Sequence, residues 1–170
     1  MGTVKGAFVK ILVTGGSGQL GLALQRQGGS SQLIALSRED LDITKSAQLA
    51  EVLTREQPAV VINCAAWTDV DGCESNPGKA MEVNGFAVGR LAQEAKNVGA
   101  KLVQISTDYV FDGTKNEPYT ETDLPNPLSV YGKSKLLGES SSGSDALVIR
   151  TSWLMGPDAP NMLQTILNLL

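Results

Sequence analysis

The chain has 170 residues, 42% of them hydrophobic, enough for one well-cored domain and short for two. A net charge of −4, an isoelectric point near 4.8 and singly scattered lysines and arginines exclude an electrostatic footprint for nucleic acid or an anionic membrane, leaving small molecules as the expected partners. Histidine is absent, which excludes a Ser-His-Asp triad, a Cys-His pair and every histidine-ligated metal site, so acid-base chemistry falls to Tyr, Lys, Asp or Glu.

Cys64 and Cys73 are too few for a disulfide framework and point to a reducing compartment. No apolar run approaches the roughly 20 residues of a membrane span, and no signal-peptide pattern opens the chain. The expectation is a soluble, cytoplasmic protein. Met1-Gly2-Thr3-Val4-Lys5-Gly6 only half resembles a myristoylation signal, because Gly6 stands where Ser or Thr is wanted, and reads as a disordered lead-in.

Val9-Lys10-Ile11-Leu12-Val13 predicts a parallel strand covered on both faces, with Thr14 at its carboxyl end. Glycines at 15, 18 and 21 follow and lead into the helical run Leu20 to Arg26. The turn has two readings: a tight connection with no ligand, or a cradle where bare backbone meets a pyrophosphate at the positive end of a helix. Its place after a first strand and before a helix favours the cradle. Gly15, Gly18, Gln19, Leu20 and Gly21 are therefore candidate cofactor residues, with Gly21 letting the helix lie close on the sheet.

Gly28-Gly29-Ser30-Ser31 breaks the pattern, and Gln32 to Leu36 predicts a second strand that completes a βαβ unit. Ser37-Arg38 follows, where a carboxylate would bind a 2′-hydroxyl and a guanidinium would suit a 2′-phosphate. Arg38 favours NADPH over NADH, or else pairs with adjacent Glu39 and Asp40 on the surface. In the extended piece Leu41-Asp42-Ile43-Thr44, Asp42 either reaches an adenine amino group or caps the helix expected to begin near Thr44 and carry Ala47, Leu49, Ala50 and Leu53.

Pro58 to Ala66 predicts a third strand with small residues at its end, room for a flat ring. The polar stretch Trp67 to Pro77 ends in an Asn-Pro helix start; its carboxylates bind metal or substrate, or cap the helix whose stripe is Ala80, Val83, Ala87, Leu91 and Ala95. Lys101 to Thr107 predicts a fourth strand ending in hydroxyls. Beyond it, 108–127 has the length and proline content of an ordered functional loop.

Tyr131 and Lys135, four apart, share one face of the next predicted helix. Bringing a phenol from a pKa of about 10 to near 7 requires roughly 4 kcal/mol. A lysine cation at about 4 to 5 Å supplies roughly that at an effective dielectric near 20. The expectation is a phenol made acidic by its neighbour; the plainer alternative is a solvent-facing pair. Ser140 to Ser144 reads as a flexible link, Ala146 to Arg150 as a fifth strand, Gly156 to Pro160 as a turn, and Asn161 to Leu170 as a helix start. Met162, Leu163, Ile166, Leu167, Leu169 and Leu170 in that helix are too apolar to stand in water.

The sequence resembles the extended short-chain dehydrogenase/reductases, and among them the dTDP-4-dehydrorhamnose reductases. The glycine turn 14–21 and the run Tyr131 to Glu139 carry the superfamily likeness. Asp42-Ile43, Thr68-Asp69-Val70-Asp71 with Glu74 and Pro77, Ser106-Thr107-Asp108-Tyr109-Val110-Phe111-Asp112-Gly113, Pro118-Tyr119 and Arg150-Thr151-Ser152-Trp153 carry the narrower one. The resemblance implies a doubly wound parallel α/β sheet of Rossmann type with strand order 3-2-1-4-5. Residues 1–153 would be the NADP(H) domain and 154–170 the start of a smaller substrate lobe.

It further implies reduction of the C4 keto group of a dTDP-4-dehydro sugar by NADPH, NADH being the other candidate. Tyr131 would be proton donor, Lys135 its partner and a nicotinamide-ribose ligand, and Thr107 a hydrogen-bond donor to the same oxygen. Asp108 and Trp153 would border the sugar. Gly18, Gln19 and Leu20 would meet the pyrophosphate, Asp42 and Ile43 the adenine, and Ala65, Ala66, Trp67 and Thr68 the ribose and nicotinamide side. Mg2+ enters through the resemblance alone, with nothing beyond scattered carboxylates to support it; a homodimer is expected from the apolar helix after Asn161, which needs the missing lobe or a second copy of the chain.

Two departures stand out: Gly72 replaces a lysine frequent in relatives, and relatives run on past Leu170. Two other functions fit the same residues. One is a cofactor-binding regulatory module like the regulatory subunit of methionine adenosyltransferase, and the other is a reductase or epimerase of a UDP or GDP sugar.

Overall fold

A computed structural model describes residues 9–28, 32–157 and 161–169. The expected lead-in at 1–6, most of the break at 28–31, the turn residues 158–160 and Leu170 lie outside the described residues, as does the side chain of Met162. The elements are β1 Lys10–Thr14, α1 Gln19–Gln27, β2 Gln32–Leu36, α2 Ser46–Glu56, β3 Val60–Asn63, α3 Val70–Ser75, α4 Pro77–Met81, a π-helical turn Glu82–Phe86, α5 Ala87–Asn97, β4 Lys101–Thr107, a 3-10 turn Asp108–Val110, α6 Val130–Ser141, β5 Leu147–Thr151 and α7 Met162–Leu169.

All five strands are parallel, in the order β2-β1-β3-β4-β5. The sheet is doubly wound, as expected, but the order 3-2-1-4-5 is not what forms. Strand β3 pairs with β1, Ile11 opposite Val60 and Thr14 opposite Asn63, instead of lying outside β2. Burial explains the placement: Val61 and Asn63 are almost wholly covered, as a central strand must be, whereas β2 stays half-exposed and forms the edge. Because the chain leaves β1 in one direction for β2 and returns in the other for β3, right-handed crossovers put α1 on one face and α2 on the opposite one. Helices α2, α5 and α6 pack side by side. The reversal between β1 and β3 opens a crevice at the carboxyl ends of the strands.

The core joins Leu12 and Val61 of the central strands to Leu49, Val52 and Leu53 of α2 and to Ala87, Leu91 and Ala95 of α5. Leu41 and Ile43 close its edge, 1% and 3% exposed. Helix α2 begins at Ser46 behind an N-cap, Lys45, that makes no side-chain bond, so Asp42 does not cap it. Asp42 instead accepts hydrogen bonds from the amide and hydroxyl of Thr44 at 3.0 and 2.7 Å. The expected Asn-Pro start is present: Asn76 accepts from the Lys79 amide, and Pro77 opens α4. Ahead of it the predicted polar loop contains a further short helix, α3, capped by Asp69 through the Gly72 amide at 2.9 Å.

Loop 111–127 is closed by side chains. Asp112 accepts from the Thr114 amide and hydroxyl, the Tyr119 hydroxyl and the Asn126 amide group. Phe111 stacks on Tyr119 at 4.1 Å. On α7, Leu163, Ile166, Leu167 and Leu169 are exposed, although their composition is too apolar to stand in water. Among the described residues no helix is long and apolar enough to cross a membrane.

Candidate active site

Strand β1 ends in Thr14, and the chain turns at Gly15 with φ +66°. A Cβ there would stand 2.7 Å from the Ala65 amide nitrogen, so only glycine permits both the left-handed backbone and the approach to β3. At Gly21 a Cβ would lie 2.5 Å from the Gly15 carbonyl, and its absence lets α1 start against the turn. Gly18 is the α1 N-cap and makes no side-chain cap; the Gly15 carbonyl, at 3.3 Å, is all that a Cβ on it would meet. The first amides of α1 thus sit beneath bare backbone, the geometry of an anion cradle.

The turn forms one wall of a cleft of about 560 Å³. Gly15, Gly18, Gln19, Leu20 and Gly21 line it together with Ala66, Thr68, Thr107, Asp108, Tyr131, Lys135 and Trp153. Ser37, Arg38, Asp42, Ile43, Ala65 and Trp67 do not line that cleft. The side chain of Ile43 is in the core, and Ala65 packs against it. Trp67 is held by its backbone: its amide donates to Asn84 Oδ1 at 2.8 Å, its carbonyl accepts from Asn84 Nδ2 at 2.9 Å, and the Lys79 ammonium lies 3.9 Å from its ring centroid. Ser37 follows β2, whose Leu36 carbonyl accepts the Gly16 amide at 2.7 Å, so the Ser37-Arg38 segment adjoins the glycine turn outside the cleft.

Helix α6 supplies the opposite wall. Ser129 caps it through the Gly132 amide, and Glu74 accepts the Val130 amide at 2.6 Å. Its inward face carries Tyr131 and Lys135, 8% and 3% exposed. Tyr109 meets Tyr131 edge-on at 5.5 Å. Thr107, on β4, donates to Asp108 at 3.0 Å and accepts the Tyr109 amide at 3.2 Å.

The electrostatics differ from the expectation of a phenol made acidic. Burial pushes the Tyr131 phenol up, hydrogen bonding with Thr107 opposes it, and neighbouring Asp108 adds to the rise. The Lys135 ammonium donates to the Ile105 carbonyl, 2.6 Å away on β4. Burial lowers Lys135 itself to about 8, against the charge of Glu139. Cys64, also in the cleft, is raised to about 11 by burial. The resting site therefore holds a neutral phenol beside a lysine whose proton is loosely kept.

Sequence reading missed the polar network under this floor. Thr14 donates to Asn63 at 2.6 Å, Asn63 to Gln104 at 2.7 Å, and Gln104 to the Ile105 carbonyl at 2.8 Å, the same oxygen that takes Lys135. Asn63 and Gln104 are each 1% exposed. A polar residue inside an otherwise apolar, doubly covered strand was the available signal. Behind α6, Glu139 accepts from Ser106 at 2.5 Å and from Arg150 at 2.9 and 2.7 Å, tying the helix to the ends of β4 and β5.

Topology, crevice and the Tyr131/Lys135 spacing together define a Rossmann-like protein of the short-chain dehydrogenase/reductase class. Within that class the chain fits the family described as RmlD substrate binding domain over residues 9–170, and it belongs to that family. It is similar to a dTDP-4-dehydrorhamnose reductase of Burkholderia thailandensis, 46% identical over 165 residues, which cover 95% of this chain and 55% of the relative.

Among solved structures it is similar to a dTDP-4-dehydrorhamnose reductase of Clostridium acetobutylicum, with 45% identity and a TM-score of 0.90 over 94% of this chain and 59% of the other. It is also similar to that of Bacillus anthracis in complex with NADP, with 36% identity and a TM-score of 0.91 over 96% and 60%. The chain thus spans little more than half the length of the relatives it matches. Among the described residues no group of three or more Cys, Asp or Glu side chains is placed to hold a metal ion.

Proposed function

We propose that the chain carries the NADP(H)-binding and catalytic half of a nucleotide-sugar reductase of dTDP-rhamnose biosynthesis, acting in the cytoplasm on the C4 keto group of dTDP-4-dehydro-β-L-rhamnose. The observation that carries this reading is the convergence of Tyr131, Lys135 and Thr107 on a cleft whose facing wall is bare glycine backbone. The names of the Burkholderia and Clostridium relatives support the substrate, and the NADP in the Bacillus complex supports the cofactor.

The uncapped amides around Gly18 and the start of α1 suit a pyrophosphate, with Gln19 and Leu20 beside it. Asp42 and Ile43 would border the adenine, Ser37 and Arg38 its ribose, and Ala65 to Thr68 the nicotinamide side. When bound, NADPH supplies a hydride equivalent to C4. Tyr131 hands its phenolic proton to the C4 oxygen, completing the alcohol. The Tyr131 phenol, raised by burial, carries its proton at neutral pH. Lys135 balances the phenolate left behind and bonds the nicotinamide ribose. Thr107 turns its hydroxyl from Asp108 to the reacting oxygen, and Asp108 and Trp153 border the sugar.

The test is NADPH oxidation with dTDP-4-dehydrorhamnose. Tyr131→Phe lowers kcat by roughly 100-fold or more while leaving NADPH binding unchanged; equal turnover in the two proteins removes Tyr131 as donor. One observation favours a second reading, a cofactor-binding module without turnover: Trp153 is 63% exposed at the cleft mouth, with Leu154 and Met155 beside it. Tight NADPH binding by calorimetry, with no reduction by the 170-residue chain, would support that reading.

A further inference from the structure

Strand β2 ends at Leu36 against the glycine turn, since the Leu36 carbonyl accepts the Gly16 amide. The next residue therefore stands where the adenosine ribose of a dinucleotide lies in this topology. Ser37 offers two donors at that spot, its amide and its hydroxyl. Both are taken by one oxygen of Asp40, at 3.0 and 2.6 Å, and the Asp40 amide returns a 3.3 Å bond to the Ser37 hydroxyl. An anion already sits on the donors that an incoming anion would want.

The backbone around this carboxylate is fixed from elsewhere. Gln48 of α2 donates to the Asp40 carbonyl and accepts the Asp42 amide, both at 3.0 Å. Asp40 can therefore swing its side chain away without moving the segment. Arg38, next to Ser37 in the chain, has a side chain 75% exposed and a guanidinium paired with Asp42 at 3.7 Å, beyond hydrogen-bond distance, so its planar fork can turn toward a phosphate.

We propose that Asp40 is an internal competitor for the 2′-phosphate of the cofactor and sets the preference between the phosphorylated and unphosphorylated dinucleotides. This rests on the dinucleotide reading given above. With a 2′-phosphate, the Asp40 carboxylate must leave Ser37, whose amide and hydroxyl then serve the phosphate beside Arg38. With a 2′-hydroxyl, Asp40 stays in place and repels nothing. The arrangement accepts both cofactors and holds their discrimination below what Ser37 and Arg38 alone would give.

The experiment needs no turnover. Adenosine 2′,5′-bisphosphate and 5′-AMP are titrated by calorimetry into the wild-type chain, Asp40→Ala and Asp40→Asn. Removing both charge and acceptor in Asp40→Ala should raise the preference for the bisphosphate by about tenfold, with 5′-AMP affinity unchanged. Asp40→Asn, which keeps an acceptor for Ser37, should give a smaller rise of about threefold. Both nucleotides binding with an unchanged or reduced preference in Asp40→Ala overturns this inference and leaves the dinucleotide reading intact. Failure of either nucleotide to bind any of the three proteins overturns both.

Discussion

Lys135 donates a 2.6 Å hydrogen bond to the main-chain carbonyl of Ile105, and Gln104 donates to the same oxygen at 2.8 Å. An acceptor shared in this way holds the ammonium at a fixed height below the cleft. It also means that the carbonyl keeps a partner if the lysine is lost. Burying an ammonium is costly, and here burial has already lowered its affinity for protons. Lys135→Met should therefore abolish NADPH-dependent reduction while leaving the melting temperature equal to wild type or higher. A variant that melts well below wild type would show the lysine to be structural.

The same lysine fixes the alkaline limb of the pH profile. Its proton is held with a pKa of about 8, whereas the Tyr131 phenol is pushed up and remains neutral across that range. Activity in the reducing direction should decline as pH rises through 8, because the cation that balances a phenolate is lost first. A rate flat to pH 10 would count against Lys135 acting as a charge.

Glu139 places a second constraint on the site. Its carboxylate, 8% exposed, meets Arg150 through two parallel bonds and Ser106 through a third. Glu139→Gln leaves the guanidinium without its counter-charge at a partly covered position and should cost about 2 to 4 kcal/mol in urea unfolding. Arg150 also lies 4.9 Å over Phe111, so the loss should reach the loop after β4. A cost under about 0.5 kcal/mol, the scale of an exposed pair, would show the bridge to be surface decoration.

Much of this fold was legible because its signals are local. Apolar runs at β1 to β5, the glycine spacing at 15, 18 and 21, and the interval between Tyr131 and Lys135 each announce an element or a face. Strand order was not legible. Nothing local in Val60 to Asn63 distinguishes a neighbour of β1 from a neighbour of β2; the choice is made by which strand must be covered on both sides. The Thr14–Asn63–Gln104 chain and the Asn84 clamp on Trp67 were hidden for a related reason, since each joins residues 17 to 49 positions apart. The sign of the Tyr131 shift is not legible either, because sequence spacing specifies a shared helix face but neither how deeply the phenol is buried nor where a flexible ammonium turns.

Two glycines in helices make opposite predictions. A Cβ at Gly21 would be 2.5 Å from the Gly15 carbonyl, whereas one at Gly78 in α4 meets nothing within 4 Å. Gly78→Ala should stabilise the fold by about 0.5 to 1 kcal/mol through lower unfolded-chain entropy. Gly21→Ala should destabilise it and weaken NADPH binding together, since α1 must shift off the turn. Equal denaturation midpoints for the two variants would contradict the packing of α1 described above.

The loop after β4 should respond to acid through one residue. Asp112 accepts four hydrogen bonds, from two atoms of Thr114 and from Tyr119 and Asn126, and these hold its carboxyl far below the usual carboxylate range. A carboxyl whose folded pKa is depressed lends its stabilisation above the unfolded value of about 3.8, and loses it as pH falls through the folded value. The Thr114 amide, 3.0 Å from Asp112 Oδ1, should thus stay protected from hydrogen exchange from neutral pH down past 4 and open only in stronger acid. Asp112→Asn offers a single acceptor and sets its own amide group against that of Asn126, so its Thr114 amide should exchange at least about tenfold faster at neutral pH, with global unfolding little changed. Identical protection in the two proteins would mean that the stack of Phe111 on Tyr119 closes the loop without the carboxylate.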